Sequence, residues 1–394
     1  DEVQGNGRIS VFLDSPWWAD DDFIRLEIPL VNYVRDKELA DVHLMLERHG
    51  GGRAGTTYEM TFIGQRGFSG MHNRLTYWAP STNTADANRR GYTRVIKLGL
   101  TAYIARSTMA EHVHVHFDYQ PQMAAAREKP LEDPWKHWIF EIYGGGNFNK
   151  EETSSAMNLR YGVIAEKVTH EWKLFGQSYF NYSEREFITG EDVITRYSHR
   201  NGFNGRIVKS LDSHWSAGLF TSMLASTFHN MRFNWELKPA IEYSLFPYTE
   251  ATRRSISFVY RIGGGYHNYR EETSFEKNEE ILLGHSIEAS ARFQQPWGHV
   301  RAGMSGSHYF HDFDVNRATF FTNLNLRVFQ GFSISLSGNL DLINDLVSVP
   351  KGDLSLEDVL LQQRRQSTSY YVSGSIGLSY TFGSDFTGVY NPRL

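Results

Sequence analysis

The chain has 394 residues, no cysteine and a formal net charge of -5. Without cysteine it can hold neither a disulfide framework nor a cysteine-ligated metal, and its slightly acidic balance argues against a nucleic-acid-binding surface. No apolar run reaches about 18 residues, which excludes a membrane-spanning helix, whereas a mean hydropathy of -0.45 is compatible with a membrane barrel whose inner face is polar.

Residues 1 to about 133 predict a small α+β domain and a linker. Because the numbering begins at Asp1 with no secretory signal, we expect it to start at a mature amino terminus. Three acidic residues at 20–22 can cap the following segment, 23–34, which fits a short helix or a strand equally well. Further strands are predicted over 40–48, 57–63 and 74–78, a helix over 86–106, and a linker over 121–134, where three prolines occur.

The order of these elements resembles the amino-terminal domain of TolB and the periplasmic domain of the curli secretion channel subunit. The resemblance rests on the segments ADVHLMLERHG, TTYEMTFIGQ and TADANRRGYTRVIKLGLTAYIAR and covers about residues 24–106. In those families the corresponding segments form the strand that sets the domain, its paired strand and the closing helix. The resemblance implies a periplasmic domain that docks other proteins, and it transfers no site residue.

Three alternating histidines follow the predicted helix: His112, His114 and His116. On a strand they would lie on one face, spaced by about 7 Å, and alternating imidazoles can bind Zn²⁺ or Cu²⁺. The alternative is a solvent-exposed strand face with the intervening apolar residues turned inward. Because successive positions on one face splay rather than converge, and no cysteine is available, we predict no metal site and no cofactor.

From residue 138 to residue 382, an alternation of apolar and polar residues recurs twelve times. The last repeat is the clearest, because Tyr370, Val372, Ile376 and Leu378 alternate with small or polar residues. An even number of strands is what single-chain outer-membrane barrels require. The sequence therefore predicts a mainly β fold: a 12-stranded antiparallel transmembrane β-barrel over 134–384, preceded by a small α+β periplasmic domain over 1–133 and followed by a periplasmic tail over 385–394.

Loop lengths and aromatic positions support this prediction. The connections after even-numbered strands are short, whereas those over 183–197, 271–280 and 343–369 are longer, as in outer-membrane barrels with both termini in the periplasm. Aromatic residues lie near the predicted strand ends, where interfacial belts form. A soluble twelve-stranded sandwich would explain the alternation but not the loop lengths. The expected location is the outer membrane of a Gram-negative bacterium.

The polar positions of these strands predict the inner face of the barrel. The charged residues expected to line the lumen are Glu141, Arg160, Lys173, Arg206, Glu236, Lys238, Arg261, Glu288, Arg292, Arg301 and Arg327, together with Glu166, Glu242 and Asp341. Opposite charges in a narrow lumen will pair, because a buried unpaired charge is costly. Two interpretations stay open: an interior filled by salt bridges and a narrow selective channel.

Two further segments bear on the lumen. The sequence GGGNFNKEETS at 144–154 recurs as GGGYHNYREETS at 263–274, which suggests a six-plus-six duplication with acidic loops at one rim. Residues 355–366 predict an amphipathic helix, with Ser355 as a candidate N-cap. Such a helix would cap the barrel, plug it or present a surface to a partner.

No catalytic constellation is found. Outer-membrane phospholipase A, a twelve-stranded barrel, uses a His-x-Ser-Asn-Gly segment whose serine is the nucleophile. The similar segment YSHRNG at 197–202 has Asn201 where that serine is required after His199. A P-loop, a zinc-protease helix and a nucleophile elbow are also missing from the sequence. We therefore predict that the protein is not an enzyme.

The whole chain resembles outer-membrane β-barrel proteins of the Bacteroidetes type, which pair a soluble periplasmic domain with a barrel. The resemblance rests on FIRLEIPLVNYVRDKELADVHLMLER at 23–48, on QPW at 295–297 and on the closing YTFGSDFTGVYNPRL. It implies contact with outer-membrane lipid and lipopolysaccharide, and protein partners in the envelope, but no nucleic acid. Two functions follow: a non-enzymatic barrel that anchors a periplasmic protein-binding domain, as a subunit of an envelope assembly, or a narrow channel for small polar solutes or ions.

Overall fold

A computed structural model describes residues 8–50, 52–114, 133–189, 192–329, 331–352 and 368–383. These residues form two sheets, one of five strands and one of twelve. The backbone divides into two compact units, of which the first comprises Asp1–Pro134, Arg327–Ile334 and Leu378–Leu394, and the second comprises Trp135–Leu326 and Ser335–Gly377. Within the described ranges, no helix combines the length and the apolar character that crossing a membrane would demand.

The five-stranded sheet and two helices form the small α+β domain that the sequence predicts. In chain order the elements are β1 (Ser10–Asp14), α1 (Asp21–Glu27), β2 (Asn32–Val34), β3 (Val42–Gly50), β4 (Gly55–Gly64), β5 (His72–Pro80) and α2 (Ala85–Ile104). The strand order is β2-β1-β3-β4-β5; β1 is parallel to both neighbours, and the remaining pairs are antiparallel. Sequence reasoning missed β1, and the ambiguous segment 23–34 contains both most of α1 and all of β2.

Helix α2 packs its apolar stripe against the sheet. It begins after Thr84, whose hydroxyl accepts a hydrogen bond from the backbone N–H of Ala87 and so satisfies one of the helix's free donors. Its buried residues share one core cluster with β3 and β4, including Leu44, Leu46, Met60, Phe62, Ile96, Leu100 and Tyr103. Gly99 lies at a point of close approach, since a Cβ atom there would stand 2.1 Å from Cζ of Phe62.

We expect Gly99→Ala to destabilise this domain, although alanine favours an isolated helix over glycine by about 1 kcal/mol. The added methyl group would displace the fully buried ring of Phe62, and overpacking of this kind costs about 1–3 kcal/mol. Thermal unfolding of the full chain, followed by near-ultraviolet circular dichroism, should show a lower midpoint. Gly67→Ala is the matched control, because no atom lies within 4 Å of the added Cβ. A Gly99→Ala midpoint at or above that of the parent would contradict this packing.

All twelve strands predicted for the second sheet are present, and each pairs with its neighbours in sequence. They are β6 (Trp138–Lys150), β7 (Ser154–Val168), β8 (Trp172–Thr189), β9 (Asp192–Ser210), β10 (Trp215–Ser226), β11 (Met231–Ser244), β12 (Arg254–Tyr269), β13 (Glu279–Gln295), β14 (Gly298–Tyr309), β15 (Asp312–Phe329), β16 (Phe332–Ile343) and β17 (Tyr370–Tyr380). The chain is therefore mainly β, with a large antiparallel sheet and a smaller mixed one.

The long loop predicted over 183–197 is wrong, because β8 and β9 continue through it. The two strands are 18 and 19 residues long and stay in register down to the pair Thr189 and Asp192. Side chains still alternate between the two faces there, but polar residues occupy both faces. A sequence search for one apolar face therefore ends the two strands too early. Between the described strands on this side of the sheet, 270–278 and 344–369 are the two longest connections.

The twelve-stranded sheet has one apolar and one polar face. The register shifts only near strand ends, at 224–226, 231–233 and 308–309 among the pairs with a described register. Elsewhere alternate residues of neighbouring strands share a face, as Ile142 and Val163 do in β6 and β7. The side chains of Ile142, Leu283, Ile287, Met304 and Ile376 all lie exposed on the apolar face. The opposite surface, which we call the polar face, carries most of the charged residues that the sequence assigns to the lumen.

Candidate functional site

Four of the predicted lumen residues meet in ion pairs at the middle of the polar face. Arg261 Nη1 on β12 lies 2.8 Å from Glu288 Oε2 on β13, and Lys238 Nζ lies 2.7 Å from Glu236 Oε2 on β11. His267 Nε2 lies 3.8 Å from the other oxygen of Glu236, and the His267 ring also contacts the Asn234 amide. The charges are thus neutralised locally, as desolvated charges require.

A cavity of about 240 Å³ lies beside these pairs. Its polar lining includes Glu236, Lys238, Arg261, His267, Tyr309 and Asp345. A second cavity of about 220 Å³ shares Glu236 and Lys238 with the first and continues to Arg206. The Arg206 guanidinium lies 4.8 Å from the ring centre of Phe175, within the range of a cation–π contact. The two cavities are therefore adjacent along the polar face.

A third cavity, of about 530 Å³, includes Arg160, Asn181, Arg200 and His199 in its lining. Arg270 Nη1 lies 3.2 Å from His199 Nε2. His199 is the residue that the phospholipase comparison singles out. Its ring lies beside the Arg270 guanidinium, and its backbone N–H donates a hydrogen bond to the hydroxyl of Thr227. Neither contact builds a nucleophile–base pair.

Residues 344–351, which we call the covering segment, fold over the polar face between β16 and β17. Arg317 on β15 donates hydrogen bonds to both carboxylate oxygens of Asp345, from Nε to Oδ2 at 3.0 Å and to Oδ1 at 3.1 Å, and from Nη2 to Oδ1 at 2.8 Å. Val347 packs with Leu282 and Val315 in a small buried cluster. A bidentate arginine–carboxylate pair fixes both distance and orientation, so the segment is held against the first cavity.

The far end of the covering segment is tied to the connection between β12 and β13. Ser274 donates its backbone N–H to the carbonyl of Val349 at 2.8 Å, and Thr273 forms a β-bridge with Pro350. Lys351 Nζ lies 2.9 Å from Glu276 Oε1. The amphipathic helix predicted over 355–366 lies outside the described residues.

Other predicted lumen residues are more scattered. Arg292 and Arg301 stand directly opposite each other on β13 and β14. Lys173, Glu242, Glu141 and Asp341 lie on other strands of the polar face, and Glu166 on β7 is buried. These residues take no part in the lining of the first cavity.

Arg327 has a partner that the sequence does not suggest. Its Nη2 lies 3.0 Å from Asp14 Oδ1, and its guanidinium lies 4.6 Å from the ring centre of Phe12. All three residues belong to the first compact unit. Burial raises the pKa of Asp14, but a hydrogen bond with His43 and the charge of Arg327 outweigh that effect and hold its pKa below the usual value.

Sequence reasoning missed Arg317, Asp345 and His267. Arg317 precedes the apolar stretch used to predict its strand, and Asp345 lies in a connection, where no strand pattern applies. The signal for Arg317 was available, since Val315, Arg317 and Thr319 continue the alternation of β15. The pairing of Asp345 with a residue 28 positions earlier has no such signal.

The strand expected around the three histidines is wrong in its described part. Residues Thr108–His112 form a short 3-10 helix. The segment is therefore not a strand at His112, and alternate residues from there do not share one strand face. His114 is exposed, and His116 lies outside the described residues.

Comparison with known proteins assigns no function to the chain. The sequence matches no family model, and no curated protein matches it. Among solved structures, the chain is similar to the NanC porin in a rhombohedral crystal form, with 13% identity, a TM-score of 0.29, and coverage of 62% of this chain and 100% of that one. At that TM-score the likeness carries no functional inference.

We expect Arg317→Ala to free the covering segment, because it removes the hydrogen bonds from the guanidinium to Asp345. Hydrogen bonds to charged groups contribute about 1.5–3 kcal/mol, so amide exchange in 344–351 should accelerate by about tenfold or more. Hydrogen–deuterium exchange with mass spectrometry measures this directly. Arg292→Ala, a change on the same face outside the first cavity, should leave that exchange unaltered. Equal exchange in the parent and Arg317→Ala would show that Asp345 does not hold the segment.

Proposed function

We propose that the twelve-stranded sheet closes into a β-barrel in the outer membrane of a Gram-negative bacterium and forms a narrow channel for small polar solutes or ions. The observation that carries this proposal is the exposed apolar face. Ile142 and Ile376, on the first and last strands of the sheet, are 83% and 73% exposed. Soluble proteins rarely expose apolar patches larger than a few hundred Å², whereas lipid is a suitable solvent for such a face.

Closure of the sheet would satisfy the backbone hydrogen-bonding groups of its two edge strands. Strands β6 and β17 stand at the two ends of the strand order, and each unpaired backbone group in hydrocarbon costs several kcal/mol. Pairing of these two edges would satisfy both rows of groups. A membrane strand needs about 9–11 residues, so the 18 and 19 residues of β8 and β9 would extend beyond the bilayer on one side.

The aromatic residues support this placement. Trp215 and Tyr243 are paired across β10 and β11 at the end of those strands, with ring centres 4.8 Å apart. Trp172 opens β8, and Lys209 Nζ lies 5.4 Å from its ring centre. Amphipathic rings with a neighbouring cation suit the level of the lipid headgroups, so this edge would contact the headgroups of outer-membrane lipid.

A narrow channel fits the polar face better than a wide pore does. The adjacent cavities of about 240 and 220 Å³ are lined by charges of both signs, and the covering segment closes over the first of them. Rings and pairs of charges set the selectivity of pores. Solutes would therefore pass Lys238, Glu236 and Arg261, and the position of residues 344–351 would limit the flow.

The second candidate is a barrel that anchors the amino-terminal domain for binding other envelope proteins. It is favoured by the pair of Asp14 and Arg327, which joins β1 to the end of β15 within the first compact unit. In this alternative the ion pairs of the polar face only stabilise the barrel interior. Neither candidate requires catalysis or a nucleic acid.

Planar-bilayer conductance of the purified full chain distinguishes the two candidates. We expect small, discrete current steps, and we expect Lys238→Gln to shift the reversal potential toward cations because it removes a positive charge from the pathway. Lys209→Gln is the matched control, since Lys209 lies beside Trp172 on the apolar face. It should leave the reversal potential unchanged.

Folding is checked by heat-modifiable migration on gels. If folded, inserted protein carries no current, the channel proposal fails and the anchoring role remains. If both lysine variants shift the reversal potential equally, the proposed path along the polar face is wrong.

A further inference from the structure

Two arginines flank an asparagine on the polar face of three neighbouring strands. Arg160 on β7 stands directly opposite Asn181 on β8, and Asn181 stands directly opposite Arg200 on β9. Because opposite residues of an antiparallel pair share a face, the three side chains project to the same side. The next row of residues on that face is Asn158, Ser183 and Ser198. These two rows, which we call the arginine–asparagine site, line the cavity of about 530 Å³.

The charge of this site is positive. Alternate residues in 156–162 of β7, 179–187 of β8 and 194–202 of β9 share its face, and none of them is aspartate or glutamate. Arg160 and Arg200 are both exposed, and their guanidiniums make no ion pair with any residue that the structure describes. They differ in this from the paired cations of the first cavity, and their charge is available to a bound anion.

The glutamates of β8 lie on the opposite face of the sheet. Glu184 accepts a hydrogen bond from the hydroxyl of Tyr182 at 2.9 Å, and Glu186 accepts one from the hydroxyl of Ser155 at 3.0 Å. Arg185, which lies between the two glutamates, projects to the polar face. The alternation of the strand therefore separates the two signs of charge across the sheet and leaves the positive charges on the side of the cavity.

The donors of the site suit a carboxylate that carries hydroxyl groups. A guanidinium presents parallel N–H donors that match the two oxygens of a carboxylate. Asparagine amides and serine hydroxyls both donate and accept hydrogen bonds, as the hydroxyl groups of a solute also do. The volume of about 530 Å³ falls within the usual range for small-molecule pockets, about 300–1,000 Å³. A cleft lined by one sign of charge also concentrates ions of the other sign.

From this arrangement we propose that the arginine–asparagine site binds a small polyhydroxylated carboxylate. Arg160 and Arg200 hold the carboxylate, and the amides and hydroxyls of the second row contact the hydroxyl groups of the solute. The inference deepens the proposed function, because it names the class of solute that the channel would take. It rests on that function for transport but not for binding.

Sequence reasoning found only one of the two arginines. Arg160 is among the predicted lumen residues, whereas Arg200 lies in the segment YSHRNG that resembles the phospholipase motif. The loop predicted over 183–197 also removes Ser183 and the start of β9 from the predicted sheet. Only the extended register of β8 and β9 places Arg200 opposite Asn181.

Equilibrium dialysis of radiolabelled gluconate against the folded full chain in detergent tests the proposal. We expect one equivalent to bind, and we expect Arg160→Gln and Arg200→Gln each to weaken binding by about tenfold or more, the scale of one lost hydrogen bond to a charged group. Sorbitol, which has a hydroxymethyl group in place of the carboxylate, should compete at least about tenfold less well for the same reason. Acetate, which lacks the hydroxyl groups, should also compete less well than gluconate.

Lys209→Gln is the matched control. It removes one positive charge from β9, the strand of Arg200, but on the apolar face beside Trp172, so it should bind gluconate like the parent. Heat-modifiable migration on gels verifies that each variant is folded. Arg160→Gln tests the site by itself if Arg200→Gln does not fold.

The proposal is overturned if the folded parent does not bind gluconate, or if both arginine variants bind it like the parent. Equal competition by sorbitol or by acetate would overturn it too, because the site would then recognise only one half of the solute. Planar-bilayer conductance separates this inference from the proposed function. Gluconate binding by an inserted protein without current would reject the channel and support the site, whereas current without gluconate binding would reject the site alone.

Discussion

Side chains of a β-strand alternate between two faces, and this constraint decides where the apolar and charged residues of the large sheet lie. Twelve strands paired with their sequence neighbours keep the alternation in step from β6 to β17. A slip of one residue in any pair would exchange the two faces of a strand and place arginines and glutamates among exposed isoleucines. The register of the backbone therefore underlies both the proposed contact with lipid and the polar surface on which the cavities lie.

Several charged side chains of the polar face form ion pairs. Arg261 with Glu288 joins two neighbouring strands, Arg317 with Asp345 joins β15 to the covering segment, and Lys238 with Glu236 pairs two residues of β11. Such pairs gain little net stability, because desolvation offsets much of the attraction, but they fix positions. The Arg317–Asp345 pair has the largest structural consequence, since it holds a connection between strands across a cavity that would otherwise be more open.

The sheet of the small domain packs against a helix on one side and carries polar clusters on the other. Its sheet is covered on one side by α2, where Gly99 permits contact with Phe62. The other side of its strands carries polar residues in compact arrangements: Asp14 and His43, which Arg327 of β15 joins, and Glu47, His49 and Glu59. Buried polar groups need such partners.

The sequence by itself determined the fold class, all twelve strands of the large sheet and the residues of each face, because a period of two is a local property of the chain. It also determined the helix α2 and three strands of the small domain. Tertiary structure alone decided the length of β8 and β9, where polar residues on both faces hide the alternation, and the existence of β1, a short strand between parallel neighbours. It also decided which charges meet. Asp345 reaches Arg317, Arg327 reaches Asp14, and Glu47 faces Glu59 only because chain folding brings distant segments together, and no local periodicity encodes such distances.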